Sequence, residues 1–126
     1  MNVALVLAGG TGTRLGEGVP KQYREVKEKA IIQYGLESLA ESAYVQGIWI
    51  VADEAWKDYI VAGMAEKVKH IFLGFSAPGA TRQLSILNGL EDIRKEAENT
   101  GYVLIHDAAR PLVSAELLEA CFQAVE

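Results

Sequence analysis

At 126 residues the chain fits one domain, and half of its residues are hydrophobic, enough for a sizeable core. Twelve Lys and Arg against 17 Asp and Glu leave a net charge of −5, which argues against broad binding to nucleic acid or to anionic membranes. No apolar run reaches the roughly 18–20 residues that span a bilayer, the N-terminus lacks the order of a secretory signal, and the lone Cys121 cannot form an internal disulfide, so a cytoplasmic location is expected.

The first predicted element is a short buried strand over Val3–Ala8, an unbroken apolar run. It opens into Gly9-Gly10-Thr11-Gly12, where missing side chains let backbone N–H groups approach an anion. Arg14 and Lys21 follow. Residues 1–33 hold five Lys or Arg and three acids, a local excess of positive charge inside an acidic chain. That combination points to a phosphorylated small molecule. A P-loop is excluded, because no glycine is followed by Lys-Ser or Lys-Thr. The dinucleotide fingerprint also fails: from Gly10 and Gly12 its third glycine would fall on Leu15, and no acid ends a second strand about 20 residues on. A tight strand-to-helix turn is the plainer alternative for the loop.

A helix is predicted next over Ala30–Ala43, with Ile32, Leu36, Leu39, Ala40 and Ala43 at helical spacing and Gly35 weakening it. A strand follows at Ile48–Ala52. Asp53 is a candidate N-cap for a helix over Glu54–Lys67 that carries Trp56, Tyr59, Ile60 and Met64 as a stripe. Val68–Leu73 reads as a third strand. Thr81 reads as the N-cap of the clearest helix, whose apolar face is Leu84, Leu87, Leu90, Ile93 and Ala97. Tyr102–Ile105 is the fourth strand, and Ser114 caps a last helix still running at Glu126. Strands alternating with helices predict a doubly wound α/β fold of Rossmann-like type, a mostly parallel sheet flanked by helices. Ligands of such sheets bind beyond the carboxyl ends of the strands, where three chemically unusual loops, 9–21, 74–82 and 106–111, would meet.

Leu7–Arg14 reads L-A-G-G-T-G-T-R and is followed by Pro20-Lys21-Gln22. This pattern resembles the sugar-phosphate nucleotidyltransferases. Pro20–Tyr23, the segment Gly79–Leu90 and His106-Asp107-Ala108-Ala109-Arg110-Pro111 narrow the resemblance to the 2-C-methyl-D-erythritol 4-phosphate cytidylyltransferases of isoprenoid precursor synthesis. A related family makes CDP-ribitol from ribitol 5-phosphate. The Gly-Gly-Thr-Gly loop is similar to the ribitol enzymes, the His-Asp-Ala-Ala-Arg-Pro motif to the methylerythritol enzymes, and the second motif carries more weight.

The resemblance implies transfer of CMP from CTP to a sugar-alcohol phosphate, with release of pyrophosphate. Backbone groups of Gly9, Gly10, Thr11 and Gly12 would wrap the triphosphate. Arg14 and Lys21 would be the catalytic basic pair that stabilises charge on the pentavalent phosphorus. Ala8 and Gly9 would face base and ribose, Gly79, Ala80 and Ser85 the cytosine, and Arg82 the nucleotide. Asp107 would hold Mg²⁺ against the phosphates. Each has a plainer alternative: Lys21 as a solvated lysine, Thr81 and Ser85 as helix-capping residues, Asp107 as a cap on its strand. His106 and Arg110 read as structural. Relatives of this kind run about twice as long, and the chain ends inside an uncapped helix. Residues 1–126 are therefore expected to be the N-terminal, CTP-binding part of a larger catalytic domain. The acceptor site and the homodimer contact would then lie elsewhere. A binding or regulatory module without turnover is the alternative from another class.

Overall fold

The computed structural model describes residues 1–9, 19–97, 100–110, 120 and 124. In chain order these give β1 (Asn2–Leu7), a short ribbon of β2 (Glu25–Val26) and β3 (Lys29–Ala30), α1 (Ile31–Glu41), and β4 (Gly47–Val51). They continue with α2 (Lys57–Ala62), α3 (Glu66–Ile71), β5 (Phe72–Ser76), α4 (Arg82–Glu96) and β6 (Tyr102–Asp107). The four longer strands form one sheet in the order β5-β4-β1-β6, with every pair parallel. β1 is central and buried on both faces, as a continuous apolar run requires.

Alternation along β1 sorts the core into two layers. Ala4 and Val6 face Ile32, Leu36, Leu39, Ile60 and Val68 of the first three helices. Val3, Leu5 and Leu7 face Ile93 of α4 and Ala97 just past its end. Helices therefore cover both faces, and the doubly wound expectation holds. The chain moves outward from β1 to β4 and β5, then returns through α4 to β6 on the other side of β1. The order of strands reverses between β1 and β6, and a crevice opens there beyond their carboxyl ends.

Four details depart from the sequence reading. Val68 lies in α3 rather than in a strand, because Val68 and Ile71, three apart, both pack into the core beside α1. The strand begins only at Phe72. The helix expected over Glu54–Lys67 is interrupted after Ala62: Gln33 Nε2 donates to the Ile60 carbonyl at 2.9 Å, and Gly63 lies against the same amide. Ala43 does not continue α1, which ends at Glu41 and leaves Ala43 exposed.

The fourth departure concerns α4. Leu84 and Leu87 are 45% and 49% exposed, whereas Ser85, Gly89 and Ile93 are buried. A Cβ on Gly89 would stand 2.6 Å from Leu5 Cδ1, so small residues let this helix lie close on β1. The buried stripe is narrower and polar in part: Ser76 Oγ accepts from Trp49 Nε1 and donates to Asp92. The helix expected from Ser114 lies outside the described residues, apart from the helical Ala120 and Ala124. Among the described residues no helix is long and apolar enough to cross a membrane.

Candidate functional site

The strand ends stand in one row. Leu7 is level with Val51 on one side and Asp107 on the other, and Val51 is level with Ser76. Beyond this row lies a cleft of about 610 Å³ whose walls come from all four loops. β1 supplies Leu7 and Gly9, the turn after it Lys21 and Gln22, and β4 Asp53. The β5–α4 loop supplies residues 78–82 with Ser85, and β6 supplies Asp107 and Ala109. Motifs nearly a hundred residues apart thus meet around one volume.

Close approach of two loops sets the floor. A Cβ on Gly9 would fall 2.5 Å from Pro78 Cβ, so only glycine lets the β1 and β5 loops touch. Gly79 is equally constrained: its missing Cβ would meet Leu84 Cβ at 2.4 Å. Its N–H donates to Ser85 Oγ at 2.9 Å, while Leu84 N donates to the N-cap oxygen Thr81 Oγ1 at 3.1 Å. Asn88 Nδ2 donates to the Ala77 carbonyl at 3.0 Å. The polar residues of the Gly79–Leu90 motif therefore shape their own loop. Ala80, Arg82 and Ser85 reach the cleft from it.

The Lys21 wall is built differently. Lys21–Tyr23 is a single 3₁₀ turn entered through Pro20. Gln22 Nε2 and Tyr23 Oη both donate to the Ala8 carbonyl, at 2.8 and 3.2 Å. The Tyr23 ring stacks on Trp56 with centroids 4.2 Å apart, and Tyr59 closes edge-on against both. Tyr59 Oη donates to Glu25 at 2.9 Å and lies 3.3 Å from the Tyr23 carbonyl. Burial, then the Asp53 carboxylate, push the Tyr23 hydroxyl far above its ordinary value, so it remains a donor throughout the working pH range. The turn is pinned on its inner side and presents Lys21 outward, exposed, along the cleft.

Ala8 is tied into the scaffold through its backbone. Its N–H donates to the Val51 carbonyl at 2.7 Å, and its carbonyl takes both bonds from the Lys21 turn. Its backbone polar groups serve the scaffold, and Gly9 is the residue of that pair that lines the cleft. Gly10, Thr11, Gly12 and Arg14 lie outside the described residues.

At the opposite wall, Asp107 Oδ1 accepts from Ala109 N–H at 3.0 Å, and Arg110 N–H donates to the Asp107 carbonyl at 3.0 Å. This turn holds the carboxylate at the strand's end. Among the described residues no three His, Cys, Asp or Glu side chains gather around a cation. A fixed carboxylate beside a cleft suits Mg²⁺, which keeps its waters and is held jointly with ligand phosphates. Next to it, His106 packs against Gly35, where a Cβ would lie 3.0 Å from Nε2. Burial lowers the His106 pKa, with the Arg110 carbonyl and Asp107 opposing. Gly35 is thus a point of close helix–strand contact.

Asp53 was legible only as an N-cap. It occupies that position, but its side chain makes no capping bond and lines the cleft instead. An acid directly after the strand beside the glycine loop was the available signal.

A family model for 2-C-methyl-D-erythritol 4-phosphate cytidylyltransferase (IspD) matches residues 2–126. The chain belongs to this family. It is 42% identical over 120 residues to the 2-C-methyl-D-erythritol 4-phosphate cytidylyltransferase of Thermotoga neapolitana, covering 94% of this chain and 51% of that protein. It is 40% identical over 131 residues to the ribitol-5-phosphate cytidylyltransferase of Vibrio parahaemolyticus, covering 100% of this chain and 53% of that one. A crystal structure of 4-diphosphocytidyl-2C-methyl-D-erythritol synthase from Anaerococcus prevotii shares the fold, with a TM-score of 0.75 at 21% identity over 98% of this chain and 50% of the other. The chain spans about half the length of the curated relatives it matches. These IspD-family relatives are nucleotidyltransferases, as the three motifs imply.

Proposed function

We propose that the whole protein transfers CMP from CTP to 2-C-methyl-D-erythritol 4-phosphate, and that residues 1–126 form its CTP-binding half. The observation that carries this reading is the single cleft in which Gly9, Lys21, the Gly79–Ser85 loop and Asp107 converge. An acceptor phosphate, already ionised near neutral pH, needs no general base. One of its oxygens bonds to the α-phosphorus of CTP as the bond from that phosphorus to the pyrophosphate oxygen breaks. The leaving pyrophosphate carries the displaced electron pair.

What remains for the protein is positioning and charge neutralisation. Lys21 supplies a compact positive charge at one wall, and Arg14, by family resemblance, a planar fork for phosphate oxygens. Gly9 and the glycines after it bring backbone N–H groups to the triphosphate. Gly79, Ala80 and Ser85 bound the cytosine, and Arg82 approaches the nucleotide. Asp107 would hold Mg²⁺, which supplies charge neutralisation across the phosphate oxygens. A cytoplasmic location and a homodimer formed through a segment outside this chain complete the proposal.

Ribitol 5-phosphate is the second reading for the acceptor, because the Vibrio ribitol enzyme matches almost as well as the Thermotoga one. Pyrophosphate release by the full-length protein, with CTP, Mg²⁺ and each acceptor in turn, decides between them. Release with methylerythritol phosphate supports the first, and release with ribitol phosphate alone the second. CTP binding without release in either case leaves a binding module.

A further inference from the structure

A second, smaller pocket of about 260 Å³ lies between the β2–β3 ribbon, the start of α1 and the end of α2, and shares no lining residue with the cleft. It is below the roughly 300–1,000 Å³ of sites for drug-sized ligands, so it suits a small group. Its wall is rich in acceptors. Gln33, 2% exposed, lines it from α1. The amide Nε2 donates to the Ile60 carbonyl at 2.9 Å, and a Cβ on Gly63 would meet it at 2.9 Å, so the trigonal amide turns Oε1 away from α2. That oxygen is buried and has no hydrogen-bond partner among the described residues. An unpaired buried acceptor is costly, and a ligand that brings a donor to it removes that cost. Glu25 and Glu28, both exposed, add two carboxylates from the ribbon. Tyr59 Oη donates to Glu25 at 2.9 Å, and an ionised carboxylate has room for further donors. Among the described residues Glu28 makes no ion pair. Lys29, the basic residue of the wall, is turned to α1: its Nζ binds Glu37 at 2.9 Å and lies 4.5 Å from the centre of the Tyr34 ring. Its charge serves Glu37 rather than the two ribbon carboxylates.

We infer that this pocket is a binding site for a guanidinium group, held by Gln33 Oε1 and the carboxylates of Glu25 and Glu28. A guanidinium carries five N–H donors in one plane, enough to serve an amide oxygen and two carboxylates together. It is also more weakly hydrated than an ammonium, which suits a partly buried wall. The Tyr59 ring in the same wall adds attraction for a cation. A free guanidine and an arginine side chain of another protein segment share this chemistry, and the test separates them. Glu25 is also the acceptor of the Tyr59 hydroxyl that lies 3.3 Å from the Tyr23 carbonyl. One carboxylate therefore joins this pocket to the turn that carries Lys21. The inference does not depend on the nucleotide reading of the cleft.

The test is a titration of the full-length protein, followed by NMR at the Gln33 side-chain amide, with methylguanidinium, methylammonium, neutral N-methylurea and N-acetyl-arginine methylamide. The wild type is expected to saturate with methylguanidinium at a Kd below about 10 mM. Methylammonium and methylurea should bind at least about threefold more weakly, because one lacks the planar fork and the other the charge. Glu28→Gln and Glu25→Gln, both at exposed positions, should each weaken methylguanidinium at least about threefold. N-acetyl-arginine methylamide binding as well as methylguanidinium supports an arginine side chain as the occupant, and its exclusion supports a free guanidine. The absence of any saturable shift with methylguanidinium overturns the inference without needing a variant. So does binding that methylammonium or methylurea matches, or binding that neither substitution weakens. Each result stands whether or not the protein binds CTP.

Discussion

Two of the turns that line the cleft are held by opposite means. The loop from Pro78 to Ser85 is secured by its own neighbours: Thr81 caps Leu84, Ser85 accepts from Gly79, and Asn88 reaches Ala77, all within 11 residues. The Lys21 turn is secured by distant ones: the Ala8 carbonyl 14 and 15 residues back, Trp56 stacked on Tyr23, and Tyr59 36 residues ahead. A locally capped loop is a property of its segment. A turn pinned by remote rings is a property of the fold, and its geometry should fail when the packing beneath it fails.

The sharpest way to separate position from chemistry is Lys21 itself. Its side chain is exposed, so Lys21→Ala should leave the melting temperature unchanged while lowering turnover of the full-length protein by at least about a hundredfold. Pyrophosphate release alongside a thermal melt checks both, and near-normal turnover removes Lys21 from the mechanism. Tyr23→Ala attacks the support instead. Loss of a buried, stacked ring should cost about 3–5 kcal/mol by urea denaturation, and turnover should fall even under conditions where the variant stays folded. A double-mutant cycle with Trp56→Ala should return a coupling of about 0.5–1.5 kcal/mol for the stack. On the other wall, Thr81→Ala should cost only about 1 kcal/mol, the worth of one N-cap, with CTP affinity changed less than by Tyr23→Ala. Equal damage to binding from both would erase the contrast.

Two smaller effects follow from backbone and proton. Lys27 and Glu28, at the tip of the β2–β3 ribbon, both have positive φ, 54° and 67°. Such a turn favours Asn-Gly, so the double substitution Lys27→Asn, Glu28→Gly should raise stability by about 1 kcal/mol. An unchanged urea midpoint would show that the strain is absorbed elsewhere. For His106, burial depresses the folded-state pKa below the ordinary 6.5, so the unfolded chain binds more protons below that pH. The associated stability is complete above about pH 6.5 and is lost as pH falls through and below it. Wild type should therefore lose more stability than His106→Gln between pH 7.5 and 5.5, and parallel losses would contradict the assignment.

The fold was legible where residues act through near neighbours. The buried run of β1, the Thr81 cap and the alternation of strands and helices were enough to predict a doubly wound parallel sheet. Lys21, Gly79, Ser85 and Asp107 were legible as candidates because their motifs are short and carry charge or glycine. What escaped was set by tertiary contact. Gln33 interrupts a helix 27 residues away by taking its carbonyl. Gly89 turns α4 so that Leu84 and Leu87 face outward. The β2–β3 ribbon formed without the usual turn residues. Asp53 looked like a cap because nothing in its segment shows that the cleft lies beside it. The anchoring of the Lys21 turn on the Ala8 carbonyl was likewise set by tertiary contact.

The central claim is that the row of strand ends forms a cytidine-nucleotide site. Thermal unfolding of the full-length protein with Mg²⁺ and CTP, UTP, ATP or GTP in turn tests it most directly. At about 100 times its dissociation constant a bound nucleotide adds about 2.7 kcal/mol of stability. The account predicts that stabilisation with CTP and much less with either purine. Equal stabilisation by ATP or GTP, or none by CTP, would contradict it.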